Sequence, residues 1–215
     1  MIRSTIKDRQ RYVSVTSAMA LCKVLLGEQP DYYGPDSEMH AAEGEGCHRT
    51  CLDWLASREY DGFTHHAMVR PEVHGDEERW HRVMATALAN FQVFVEQYKV
   101  RPIGLEQVDF SRIYGLVGHI DLPCYFTIPG RREMKGPIDL KFTASIQESH
   151  RLQVRCYGKL DGMREANMGG IFWSNRKTGE WRFEPVNLSD HLDDVMAVSY
   201  AAKLWAWGQD RKGKP

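Results

Sequence analysis

After Arg101-Pro102 the hydrophobic period of this chain changes, and the change decides what kind of fold it can make. Upstream, Trp80, Met84, Ala87, Leu88, Phe91, Val95 and Tyr98 recur on one face of a helical period across residues 75–99. Asp76, Glu77 and Glu78 sit at the end where such a helix carries partial positive charge. Downstream the apolar positions alternate, which predicts strands near 103–110, 113–128 and 136–143, with residues 128–137 as a hairpin loop. A helix returns over 147–164. Residues 168–174 and 180–186 form a further hairpin around Asn175-Arg-Lys-Thr-Gly179, a run of turn formers. Asn187-Leu-Ser-Asp190 resembles a capping box for a last helix ending near Trp207-Gly208.

The first third is read the same way. Residues 11–27 begin as a β-branched strand and continue as a brief helix capped by Ser14 or Thr16 and ended by Gly27. A Pro, Gly and Asp-rich loop bearing Tyr32 and Tyr33 follows. Residues 41–58 are helical, with Cys47, Cys51, Leu52 and Leu55 on one stripe and His48 beside it. His65 and His66 belong to the next loop, and His74, which shares no ligand spacing with them, is read the same way. Trp173, Trp181, Trp205 and Trp207 are expected in the core. Helices, then mostly antiparallel strands, a helix, a hairpin and a final helix make a mixed α/β (α+β) layered domain. No repeat or linker divides the 215 residues, so one domain is expected, with its core at about 12–207 and residues 208–215 frayed.

Composition narrows the function classes. A net charge of −1 gives no global attraction to nucleic acid or anionic membrane, so any basic binding surface must be local. No apolar run is long enough to span a bilayer, and the N-terminus lacks the apolar core of a secretory signal. Cys22, Cys47, Cys51, Cys124 and Cys156 are odd in number and contain no CxxC pair, which fits a reducing, cytoplasmic setting. Cys47 and Cys51 are expected as small core residues rather than zinc ligands, because the spacing of a zinc ribbon is absent.

The chemistry-bearing residues lie on the predicted strands. Gly118-His-Ile-Asp121 on one strand and Asp139-Leu-Lys141 on the next would bring two carboxylates and an ammonium together. Residues two apart on a strand share a face, so Asp139 and Lys141 point the same way and the Leu140 carbonyl lies between them. Two carboxylates suit Mg²⁺ or Mn²⁺, which would polarise a phosphoryl oxygen and lower the pKa of an attacking water. Lys141 would orient that water or stabilise the developing charge. A DxK pair alone is more often a surface carboxylate and lysine on an edge strand. His48 upstream and Gln153 and Tyr157 downstream make the set more specific. Arg151, Arg155 and Lys159 recur every fourth residue on the Gln153 helix, as either a solvated face or a track for a phosphate backbone.

Together, Gly44 and His48, Gly118 and Asp121, Asp139 and Lys141, and Gln153 and Tyr157 occur in an order that resembles the PD-(D/E)XK nuclease superfamily, in its RecB-like branch. The resemblance covers about residues 12–165, and the run Ser14 to Thr16 and Glu106 resemble phage members of that branch. It implies a restriction-endonuclease-like core, with a central mixed sheet flanked by helices. It further implies a metal-dependent deoxyribonuclease, most often an exonuclease of recombination or repair. His48, Asp121, Asp139 and the Leu140 carbonyl would hold Mg²⁺ or Mn²⁺, and Lys141 would be the catalytic lysine. Glu106 would position a water, and Gln153 and Tyr157 would contact DNA or brace the strands. The chain departs from the pattern at Glu45, where Thr is common, and at Phe142, where Thr or Ser commonly follows the lysine. No cysteine follows Cys156, so no iron–sulfur cluster is expected. Expected partners are DNA and a single-strand annealing or recombination protein, without membrane and with homo-oligomers allowed. The competing expectation is a DNA-end-binding module that keeps the fold without cutting.

Overall fold

Ser14 ends the first long strand and starts the first helix, because its Oγ accepts a hydrogen bond from the Ser17 N–H, as an N-cap should. This is seen in a computed structural model that describes residues 4–7, 10–28, 37–59 and 76–212. The expectations for Tyr32, Tyr33, His65, His66 and His74 fall outside the described residues.

Strands β1 (Ser4–Lys7) and β2 (Gln10–Ser14) lead into helix α1 (Val15–Leu25), and Gly27 leaves it at a φ of 66°. Helix α2 (Ser37–Glu59) begins four residues earlier than the helix expected over 41–58 and includes residues 37–40, expected as loop. Helix α3 (Glu77–Gln97) is capped by Asp76, whose carboxylate accepts the Arg79 N–H at 2.8 Å. Short strands β3 (Arg101–Pro102), β4 (Gln107–Ser111), β5 (Leu116–Ile120), β6 (Leu122–Phe126) and β7 (Met134–Lys141) follow. After helix α4 (Glu148–Tyr157) come β8 (Met168–Ser174), β9 (Trp181–Asn187) and helix α5 (Leu192–Lys212).

The described strands form two mixed sheets rather than one central sheet. One has the order β1-β2-β5-β4 and the other β3-β6-β7-β8-β9. The pairs β2–β5 and β7–β8 are parallel, and the rest are antiparallel. The strand expected over 113–128 is therefore two strands that change sheet at Asp121, the single residue between them. Alternation stays apolar across that point, so the period alone does not mark it. Of the strand expected near 103–110, residues 107–110 lie in β4 and 103–106 lie in no strand, with Glu106 just before β4 at a left-handed φ of 47°.

Helices cover both faces of the five-stranded sheet. On one side α2 and α3 bury Cys47, Cys51, Leu52, Leu55, Met84 and Phe91 against Ile138, Leu140, Phe172 and Phe183. Phe94, three residues past Phe91 and absent from the expected face, stacks at 5.0 Å on Phe172 and 5.2 Å on Phe183. On the other side α1, α4 and α5 pack over β2, β5, Ile171 and Trp173. Trp173 is buried as expected, but Trp207 is 57% exposed because α5 turns that face to solvent. Helix α5 also runs through Lys212, past the expected stop at Gly208. All five cysteines are free and buried, and burial pushes the Cys47 thiol up to about 12. Among the described residues, no helix is long and apolar enough to cross a membrane.

Candidate active site

Asp121 is the pivot of the site. As the residue where the chain leaves β5 for β6, it is held by both its backbone and its side chain. Its carbonyl accepts the Glu106 N–H at 2.9 Å, and Oδ2 accepts the Leu140 N–H of β7 at 2.8 Å. Oδ1 faces His48 Nε2 of α2 at 3.4 Å, and Glu106 Oε1 lies 3.8 Å from the other nitrogen, Nδ1. The imidazole thus sits between two carboxylates, which fixes its orientation.

Asp139 is in a different situation. Ile138 and Leu140 of β7, with Phe142 just past its end, pack into the core beneath α2 and α3, so strand alternation turns Asp139 and Lys141 to the opposite face. There Asp139 is 0% exposed, and its Oδ1 is buried without a hydrogen-bond partner. Oδ2 lies 2.8 Å from Lys141 Nζ as an ion pair.

The electrostatics follow from this layout. Burial pushes the Asp139 carboxyl up to about 7, against the pull of Lys141 and aided by the like charge of Asp121. Burial also works against ionised Asp121, but the hydrogen bond and charge of His48, with Lys141 and the Leu140 N–H, hold its carboxyl below the usual range. For His48 burial favours the neutral ring, and Asp121, Glu106 and Asp139 outweigh it, raising the imidazole above its ordinary value. Two neighbouring carboxyls driven in opposite directions are typical of a site that handles protons or cations.

Gln153 and Tyr157 are buried, and the Gln153 amide donates to the Tyr157 hydroxyl at 2.7 Å. That hydroxyl also bonds Thr16, which accounts for the Ser14 to Thr16 run, and burial pushes it well up. The Tyr157 ring lies on Gly118: a Cβ there would stand 2.5 Å from Leu160 Cδ1 and 2.9 Å from Tyr157 Cδ1. The structure therefore gives this pair a bracing role, with their polar atoms turned to each other. Gly118→Ala is expected to lower stability by about 1–3 kcal/mol, as overpacking does, because two side chains must move. Urea denaturation checks this, and an unchanged midpoint would contradict the packing of Tyr157 on β5.

Arg151 and Arg155 are engaged rather than presented. Arg151 bonds Glu184 of β9 and Glu148, and Arg155 bonds Glu148 at 2.8 Å and Asp194 of α5 at 3.0 Å. Lys159 donates to the Leu188 carbonyl at 2.7 Å. The basic stripe thus ties α4 to β9 and α5, which removes it from the simple role of a phosphate track. Except for Glu148, its partners lie too far along the chain for the spacing to reveal them.

Among the described residues, no group of three or more His, Cys, Asp or Glu side chains stands in a metal-holding arrangement. The side chains face one another instead: His48 meets Asp121, and Lys141 meets Asp139. The donor types nevertheless suit a hard divalent ion, two carboxylates with one imidazole. Lys141 offsets part of the cost of burying the Asp139 carboxylate, and Oδ1 remains without a hydrogen bond.

Sequence reasoning missed one cluster. Glu43 of α2 is 4% exposed and lies between Arg79 of α3 and Arg176 of the β8–β9 turn. The signal was present, since Glu43, Cys47 and Cys51 form one fourth-residue series and so share the buried face.

No family model matches the chain, and no curated protein matches it. Among solved structures, the crystal structure of SSO0001 is similar over 75% of this chain and 74% of its own, at 10% identity and a TM-score of 0.37. A likeness at that level assigns neither fold nor function.

Proposed function

We propose that this chain is a metal-dependent DNA nuclease of the PD-(D/E)XK type, acting as an exonuclease in recombination or repair. The observation that carries the reading is Asp139. It is a fully buried carboxylate whose Oδ1 accepts no hydrogen bond, paired with Lys141 through Oδ2 and set beside an Asp121–His48 pair drawn from the β5–β6 junction and from α2. A purely structural ion pair has no need of the second carboxylate and the imidazole.

His48, Asp121, Asp139 and the Leu140 carbonyl would hold one Mg²⁺ or Mn²⁺. When bound, that ion supplies Lewis-acid polarisation of a phosphoryl oxygen and a lowered pKa for water. The protein's own part is positioning. Leu140 N–H fixes the Asp121 carboxylate, Glu106 and Asp121 fix the imidazole between them, and burial keeps Asp139 in a medium of low dielectric. Lys141 is 19% exposed at its side chain and carries positive charge toward where a phosphoryl group would gain negative charge. The left-handed backbone of Glu106 is local strain of the kind found where a side chain is aimed for use.

The test is incubation of end-labelled linear DNA and closed circular DNA with Mg²⁺ or Mn²⁺. Wild type is expected to shorten the linear substrate from its ends and to spare the circle. Asp121→Ala and Lys141→Ala are expected to lose at least about a hundredfold in rate, the scale for removing one electrostatic stabiliser. Wild type that leaves linear DNA intact with either ion overturns the reading in favour of a non-cutting end-binding module. Equal cutting of circle and line overturns the exonuclease part alone.

A further inference from the structure

A second charged site lies outside the residues used above. His40 and Glu43 of α2, Arg79 and Arg82 of α3, and Arg176 and Lys177 of the β8–β9 turn line a cleft of about 370 Å³. Glu43 anchors it from below. Its Oε1 lies 2.9 Å from Arg79 Nε, and its Oε2 lies 3.3 Å from Arg176 Nη1 and 3.4 Å from His40 Nδ1. Arg176 also donates to the His40 carbonyl. One buried carboxylate therefore holds two guanidiniums in fixed orientation, while Arg82 and Lys177 add two more cations at the exposed rim.

Four permanent cations against one carboxylate leave an excess of positive charge in a cleft whose walls are partly desolvated. Burial depresses the Arg176 guanidinium, Glu43 opposes that, and the like charge of Arg79 adds to it. Glu43 offsets part of this charge, and the remaining cations repel one another less when a further anion enters. Guanidiniums held in place are matched to tetrahedral oxyanions, because their parallel N–H groups reach two oxygens at once.

We propose that this cleft binds a phosphate group, and that the phosphate belongs to a nucleic-acid strand. The source of the phosphate rests on the nuclease reading; the phosphate site itself does not.

The experiment uses the full chain in EDTA, where cleavage is silent and binding is read alone. The variant is the double substitution Arg82→Ala and Lys177→Ala, both exposed rim residues without a role in the core. A fluorescently labelled duplex oligonucleotide is titrated at several salt concentrations, and inorganic phosphate is titrated separately against the melting temperature. Wild type is expected to bind the duplex about tenfold more tightly than the variant, with a slope of log K against log salt steeper by about one. If phosphate stabilises wild type but not the variant while duplex binding is equal, the phosphate site stands and its nucleic-acid source is overturned. If the two proteins agree in both titrations, the cleft is an internal ion-pair cluster and the proposal is overturned. A protein that binds through Arg82 and Lys177 but never cuts DNA loses the nuclease reading and keeps this one.

Discussion

Asp139→Asn is expected to abolish metal-dependent cleavage and, in the same protein, to raise the melting temperature of the metal-free fold at pH 8. The two effects share one cause. At pH 8 wild type must keep an ionised carboxylate at a position with 0% exposure, where Lys141 faces Oδ2 and Oδ1 has no hydrogen bond. Folding therefore works against desolvation there, and the pKa pushed up to about 7 expresses that opposition. An unfolded aspartate titrates at about 3.9. Between those values the folded chain binds a proton that the unfolded chain has released, so this group's contribution to stability is full below about pH 4 and is lost as pH rises through 7. His48, also raised, has the same sign: its contribution is present at low pH and falls as pH rises. Asp121, lowered, has the opposite sign and loses its contribution only as pH falls into the acid range.

Asparagine keeps the shape of Asp139 and removes the charge. The gain at pH 8 is about 2 kcal/mol once the loss of the Lys141 contact is set against it, or about 4–8 °C for a chain of this size. At pH 4 the variant and wild type should melt together. Added Mn²⁺ should stabilise wild type and leave the variant unmoved, since only the former presents the anion. Cleavage by the variant should fall at least about a thousandfold, beyond the loss for one hydrogen-bond donor, because a charged ligand is removed. An Asp139→Asn protein that is less stable than wild type at pH 8 would show that the ion pair with Lys141 is a structural bond, and the case for a functional carboxylate would fail.

What could be read from the sequence follows a physical division. Features set by contacts within a few residues were legible: the α3 stripe from Trp80 to Tyr98, the acidic start of that helix, and the β8–β9 hairpin around Asn175 to Gly179. His48, Asp121, Asp139 and Lys141 were legible as a set because order and spacing narrow the choices, and the structure brings all four together. Features that depend on distant partners were not. The sheet change at Asp121 depends on which strands pair with β5 and β6, and nothing near residue 121 records that. Arg151 and Arg155 showed their stripe but not Glu184 and Asp194, which answer it. Trp207 has the hydrophobicity of a core residue, yet α5 already buries Val195, Val198 and Ala202 on its other face.

The largest stability effect is expected from Gly136→Ala. In β7 this glycine stands two residues before Ile138, which pairs with Gly170 of the parallel strand β8. A Cβ at Gly136 would lie 1.9 Å from the Met168 carbonyl oxygen and 3.0 Å from its carbon, and one at Gly169 would lie 2.8 Å from the Pro137 carbonyl oxygen. The two strands approach so closely here that neither admits a side chain. At Gly118 the obstacles are rotatable side chains, whereas at Gly136 they are backbone atoms, and no rotamer relieves them. The strands must separate, and with them the pairs Asp139 with Ile171 and Lys141 with Trp173. The expected loss is at least about 3 kcal/mol, a large share of the 5–15 kcal/mol that holds a typical domain. Chemical denaturation measures it, and cleavage by whatever fraction remains folded should fall as well, because the same register carries both the carboxylate and the lysine. If Gly136→Ala unfolds at the wild-type midpoint, β7 and β8 are not paired in this register, and the placement of Asp139 beside Lys141 on the inner face is lost with it.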